Sequence, residues 1–147
     1  MDRDLRRYLH ALDLARSHDS GGRFNMACTV YRGKKLIHVG FNEYPISRGG
    51  ETIHSSYTGL GVHAELSALT GVLRTTFVSK LRLYIAGVNG NGTPITSKPC
   101  PRCNNMFRDS RSVDTICYFD GIDVVVKESC TLDLLKVPIY NERKLAC

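Results

Sequence analysis

With 147 residues, 42% of them hydrophobic, the chain has enough apolar material for one domain with an ordinary core and too little length for several. Six cysteines do not make a dense disulfide framework, and no stretch approaches the ~20 consecutive apolar residues a bilayer span requires, which sets disulfide scaffolds and membrane-spanning helices aside. A net charge of +6 suits anionic partners such as nucleotides, nucleic acid or acidic surfaces, yet the basic residues, Arg3, Arg6, Arg32, Lys34, Lys35 and Lys98 among them, are dispersed and form no basic arm.

The chain starts with the charged Met1-Asp2-Arg3-Asp4 and no apolar run of signal-peptide length follows, so a cytoplasmic, reducing setting without membrane contact is expected. Residues 4–18 predict an amphipathic helix with Leu5, Tyr8, Leu9, Leu12 and Ala15 on one stripe, ended by Ser20-Gly21-Gly22. Strands are expected at 27–31 and 36–40, joined by the hairpin signal Arg32-Gly33-Lys34-Lys35, and a loop at about 43–62. Leu66, Leu69, Val72 and Leu73 then recur with helical period behind His63. A strand at 81–88, the turn-rich Asn89-Gly90-Asn91-Gly92 and a helix from Cys100 come next. Strands at 114–119 and 122–126 flank Asp120-Gly121, a pair that favours a type I′ hairpin and hence an antiparallel last strand. Residues 131–147 read as a short helix and a tail. Neither a repeat nor a linker interrupts this order, so a single domain over 1–147 is expected.

Two short motifs carry the chemistry: His63-Ala64-Glu65 and Pro99-Cys100-Pro101-Arg102-Cys103. One imidazole and two thiolates fill three positions of a tetrahedral zinc, and a catalytic zinc keeps the fourth for water. Cys100 and Cys103 are i, i+3 and share one face of a first helical turn, where the helix dipole favours thiolate. Pro101 suits the N1 position of that helix. His63 and Glu65 are i, i+2, which points them apart on a regular helix. They can meet one metal and its water only if His63 precedes the helix with non-helical dihedrals. Alone, Cys-x-x-Cys also fits a redox pair or half of a structural zinc site. A structural site would need a fourth protein ligand, and neither Cys28, Cys117 and Cys130 nor the other histidines stand at a convincing spacing.

Together the two motifs form the H-x-E…P-C-x-x-C pattern and resemble the cytidine deaminase superfamily of zinc-dependent nucleobase deaminases. The resemblance implies an α/β fold, a cytidine deaminase-like three-layer α/β/α sandwich with a central mixed five-stranded sheet. It implies zinc as cofactor on His63, Cys100 and Cys103, with Glu65 as the catalytic proton shuttle. By the same resemblance Asn42 of Gly40-Phe41-Asn42 holds the sugar hydroxyl, the Ala64 backbone N–H meets the base carbonyl, and Tyr118 or Phe119 lies near the substrate. Homo-oligomerisation is implied as well. Arg48, in the 43–62 loop, is a candidate grip for a monophosphate, with a solvent-facing loop arginine as the plainer role. Ser97 either lines the pocket floor or is a turn serine, and His54 is expected at the surface.

Three functions stay open. The first is deamination of cytosine in a nucleotide or nucleoside, of deoxycytidylate or cytidine type. The second is deamination of cytosine or adenine in single-stranded DNA or RNA. The third is a non-catalytic structural or interaction protein on the same fold. The expected terminal hairpin resembles the cytidine deaminase branch, whereas a histidine as first ligand resembles the deoxycytidylate, free-base, tRNA and polynucleotide groups.

Overall fold

A computed structural model describes residues 2–43, 46–48, 51–53, 63–75, 79–128 and 141–145, with side chains over 2–43, 63–72 and 79–127. Helix α1 (Arg3–Ser17) begins at Asp2, whose Oδ1 accepts from Asp4 N at 2.7 Å and Leu5 N at 3.3 Å. The helix buries Tyr8, Ala11, Leu12 and Ala15. Leu9, expected on that stripe, is 38% exposed, because it lies about 100° around the helix from Tyr8 while Ala11 falls between its buried neighbours.

Strands β1 (Asn25–Arg32) and β2 (Lys35–Phe41) form the expected hairpin, its turn made possible by Gly33 at φ +61°. Within the expected 43–62 loop a second small hairpin forms from β3 (Ile46–Arg48) and β4 (Glu51–Ile53), with Arg48 opposite Glu51. The rest of that loop, including His54 and Gly59-Leu60-Gly61, lies outside the described residues. Helix α2 (Ala64–Thr75) leads to β5 (Leu81–Val88) and the two-residue β6 (Pro94–Ile95). Helix α3 (Pro101–Ser110) leads to β7 (Val113–Phe119), β8 (Val124–Glu128) and β9 (Asn141–Leu145).

The main sheet runs β2-β1-β5-β7-β8-β9, with β6 pairing the end of β5. Only β5 and β7 are parallel; the other pairs are antiparallel. The five expected strands are all present, and β6 and β9 enlarge the sheet to seven. Within the stretch 131–147, expected as a short helix and a tail, residues 141–145 are instead an antiparallel edge partner of β8, and 131–140 lie outside the described residues. Asn-Glu-Arg-Lys-Leu lacks the apolar alternation of a half-buried strand, and edge pairing through the backbone does not need it. The terminal hairpin is antiparallel as expected, but its turn is not type I′. Positive φ occurs at Gly121 and not at Ile122, and the Asp120 carboxylate accepts from the N–H groups of Ile122 and Asp123, both at 2.8 Å.

Alternation along the central strands sorts two cores. Tyr84, Ala86, Cys117 and Val126 face α1, while Leu83, Ile85, Ile116 and Val125 face α2 and α3. The result is three layers, helix on sheet on helices. Cys117 serves as a small buried hydrophobe. Behind His63, Leu69 and Val72 are buried and Leu66 is half-buried; the Leu73 side chain is outside the described residues. Helix α2 lies close against β2 at Gly40, where a Cβ would overlap Ala68 N and Ala64 O. Among the described residues no helix is long and apolar enough to cross a membrane.

Candidate metal centre and active site

Two helix starts and two strand ends build the site. Parallel β5 and β7 direct their C-terminal ends the same way, and α2 and α3 begin above them. Helical geometry starts at Ala64, so His63 stands outside the helix, as the i, i+2 argument requires; its carbonyl already accepts from Ser67 N at 3.0 Å. Cys100 is the N-cap of α3, with φ −65° and ψ 162°, and its Sγ accepts from Cys103 N at 3.5 Å. Pro101 follows at the first helical position, where a missing N–H costs nothing.

Ser97 holds the approach to this turn. Its backbone N–H donates to Phe119 O at 2.8 Å, its hydroxyl donates to Ile85 O at 2.6 Å, and the same oxygen accepts from Phe119 N at 2.9 Å. It is 2% exposed and ties β5 at Ile85 to the end of β7 three residues before Cys100, a larger role than that of a turn serine.

The donor atoms of His63, Cys100 and Cys103 all lie within 4.8 Å of one another. His63 Nδ1 is 3.3 Å from Cys103 Sγ and 3.6 Å from Cys100 Sγ. A tetrahedral zinc with its usual bonds to nitrogen and sulfur needs such pairs at about 3.5 Å. The donor set fits. Among the described residues no further histidine, cysteine or carboxylate joins the group, and Cys117 faces the opposite layer.

Glu65 is 6% exposed beside these donors. Burial raises its carboxyl above the ordinary range, and its own backbone N–H, His63 and the Cys103 thiol offset this only in part. Burial, then Glu65 and Cys100, push the Cys103 thiol far up. Cys28, wholly buried in the same core, is raised by burial and by Glu65. At Cys103 burial and two neighbouring groups that can carry negative charge thus oppose the preference of the helix start for thiolate. A divalent cation held by His63, Cys100 and Cys103 would favour the thiolate forms.

The substrate-side expectations fall in different places. Asn42 is 8% exposed; its Oδ1 accepts from Met26 N at 2.7 Å and its Nδ2 donates to Phe24 O at 3.0 Å, so the side chain braces the start of β1. The carbonyl of Asn42 meets the His18 ring at 2.8 Å. Ala64 is fully buried between the β2 contact and the donors. Tyr118 is 1% exposed and shares the core of Ala64 and Cys103, while Phe119 turns to the α1 side. The Arg48 side chain lies outside the described residues. Sequence reasoning missed Lys127, which is 4% exposed with its Nζ 5.9 Å from the Tyr118 ring centroid. The signal was a lysine placed directly after Val124-Val125-Val126, where strand period turns it to the same face as Val125.

The family model for the cytidine and deoxycytidylate deaminase zinc-binding region matches residues 1–119. Among solved structures, the dCMP deaminase of the cyanophage S-TIM5 in apo form is 18% identical, covers 83% of this chain and 90% of its own, and has a TM-score of 0.49. The same enzyme in complex with dCMP and dUMP is 16% identical over 79% of this chain and 81% of its own, with a TM-score of 0.48. The cytidine deaminase of Mycobacterium tuberculosis is 20% identical over 78% of this chain and 85% of its own, with a TM-score of 0.49. No curated protein sequence matches the chain.

Proposed function

The chain belongs to the cytidine and deoxycytidylate deaminase zinc-binding family, and we propose that it hydrolytically deaminates cytosine in a nucleotide or nucleoside, giving uracil and ammonia. One observation carries this: three donors from two helix starts at tetrahedral spacing, with a buried glutamate beside them. His63, Cys100 and Cys103 would hold zinc, which when bound supplies the Lewis acidity that makes water a competent nucleophile near neutral pH. Glu65 would carry two protons: the first from the attacking water to the ring nitrogen as the oxygen adds to the ring carbon, the second from the hydroxyl so formed to the amine as the carbon–nitrogen bond breaks, leaving uracil and ammonia. Its buried position keeps bulk water from competing for the proton. The Ala64 N–H meets the base carbonyl, Tyr118 packs beneath the base, and Asn42 presents its remaining amide capacity to the sugar. Residues 1–147 act as one deaminase domain, assembled as a homo-oligomer.

The decisive experiment incubates zinc-loaded protein with cytidine, deoxycytidine, their monophosphates and a cytosine-bearing single strand, and identifies the uracil product. Turnover of a free nucleoside or nucleotide is expected. Activity on the single strand alone, collapsing with salt, would give the case to the polynucleotide reading. If Arg48 grips a phosphate, Arg48→Ala raises KM for the monophosphate and leaves the nucleoside unchanged. Equal effects on both would remove Arg48 from recognition.

A further inference from the structure

Basic residues that are dispersed along the sequence are gathered by the fold. The register that sets Arg32 opposite Lys35 across the β1–β2 turn also sets Arg32 opposite Leu81, where β5 starts, and Leu81 opposite Val113, where β7 starts. Lys80 immediately precedes β5. The first turns of α1 lie over the same strand ends, because Asp4 bonds Arg82 and Arg7 bonds the Gly33 carbonyl. Arg3, Arg6, Arg32, Lys34, Lys35 and Lys80 are therefore exposed together at one end of the sheet. The metal donors occupy the other end, above the C-terminal ends of β5 and β7.

This end is organised, and its exposed cations outnumber the carboxylates at the same ends, Asp2 before α1, Asp114 on β7 and Glu128 on β8. Arg7 Nη2 donates to Gly33 O at 3.0 Å, and its guanidinium carbon sits 3.9 Å from the Tyr31 ring centroid, holding the Arg32–Lys35 turn against α1. Asp4 is buried against Arg82 and Tyr84 and also lies 3.5 Å from Arg3, so among the described residues Arg3 alone of this group has a carboxylate partner. Among the described residues no carboxylate lies within ion-pair distance of Arg6, Arg32, Lys34, Lys35 or Lys80, whereas Arg16 further along α1 has Asp13 at 3.6 Å. Leu36, 37% exposed, is the one large exposed apolar side chain at these strand ends among the described residues, so the apolar centre of a protein–protein interface is missing.

We propose that this end of the sheet docks the phosphate backbone of a nucleic acid. Cations clustered on a packed frame attract a chain of phosphates, and release of condensed counterions drives the contact. The contact reads phosphate and not base, so it carries no sequence preference. A strand held there leaves the metal centre open.

The test titrates fluorescein-labelled oligothymidylate, which offers no cytosine, with the full chain and follows anisotropy at several salt concentrations. Affinity is expected to fall linearly on a log–log salt plot, with a slope near −0.7 per phosphate engaged. The double variant Lys34→Glu, Lys35→Glu should weaken binding roughly tenfold or more and flatten the slope. The matched pair Arg23→Glu, Lys98→Glu, at the opposite end of the sheet, should leave affinity unchanged. Thermal midpoints monitor folding in both. Cys103→Ala should bind as the parent does, which separates this result from the deaminase proposal. The inference is overturned by salt-independent or absent binding, by equal loss in both double variants, or by polyglutamate competing as well as unlabelled oligothymidylate.

Discussion

Two buried carboxylates, Asp4 and Glu65, lie on opposite sides of the same sheet and are shifted in opposite directions. Burial raises both. For Asp4 the Tyr84 hydroxyl at 2.5 Å, the Arg82 guanidinium at 3.1 and 3.3 Å and the nearby Arg3 outweigh it, and the carboxyl ends below its ordinary value. Glu65 receives an imidazole, a thiol and its own N–H, and stays raised. One acid has a full set of donors; the other lies beside the candidate metal donors and stays raised. A folded chain tolerates the second arrangement where chemistry needs it, and the first is what a purely structural buried acid looks like.

The contrast breaks most visibly at Glu65. Glu65→Gln should retain fold and zinc, since the carboxylate is no ligand, and should lose roughly 10²–10⁴-fold or more in deamination rate. Turnover near the parental rate would remove Glu65 as the proton shuttle. Next comes Cys103→Ala, which should take zinc content from about one per chain to near zero, read by metal analysis after a chelator wash. Equal zinc in parent and variant would dismiss the ligand assignment.

On the other face the effect is on stability. Asp4→Asn leaves Arg82, whose side chain is 17% exposed, without its anion, and should cost about 2–3 kcal/mol in denaturant unfolding, with turnover of the folded fraction retained. Because the folded-state pKa of Asp4 lies below its unfolded value, its contribution is complete above pH ~4 and is lost as pH falls through the folded value. The stability gap between parent and Asp4→Asn should therefore be constant from pH 7 to 5 and narrow progressively as pH falls below about 4. A gap that does not shrink at all as pH falls below about 4 would mean that packing, not charge, is what Asp4 supplies. The smallest effect is expected for Ser97→Ala. Loss of a hydroxyl that bridges two backbone groups should cost about 1–3 kcal/mol, and Ser97→Thr should restore part of it.

Legibility followed range along the chain. Cys100 and Cys103 sit within one turn, and His63-Ala64-Glu65 within three residues, so spacing alone could argue their roles. Strand interiors such as Leu81–Val88 were readable because both faces are buried and the run is apolar throughout. What escaped depends on partners far away. Ser97 takes its role from Ile85 and Phe119, Asp4 from Arg82 and Tyr84, and the basic end from the β1–β2 turn meeting α1. Strand β9 escaped for another reason: an edge strand is held by backbone groups that every sequence carries. Leu9 was misplaced because any leucine near an apolar stripe looks like part of it until the helix is rotated into contact.

Gly40 gives this fold a gauge. Its missing methyl group lets Ala64 O and Ala68 N rest directly on β2, and Ala64 stands between His63 and Glu65. The two cysteines belong to a separate helix, with its own anchorage on β5 and β7 through Ser97. The aperture between imidazole and thiols is thus the difference between two independent seatings, one of them set by a hydrogen atom on β2. Any side chain at position 40 would displace the start of α2 and so change that aperture while touching none of the donors. A position with no chemistry of its own thereby holds tolerance over the whole centre, as a shim does between two machined parts.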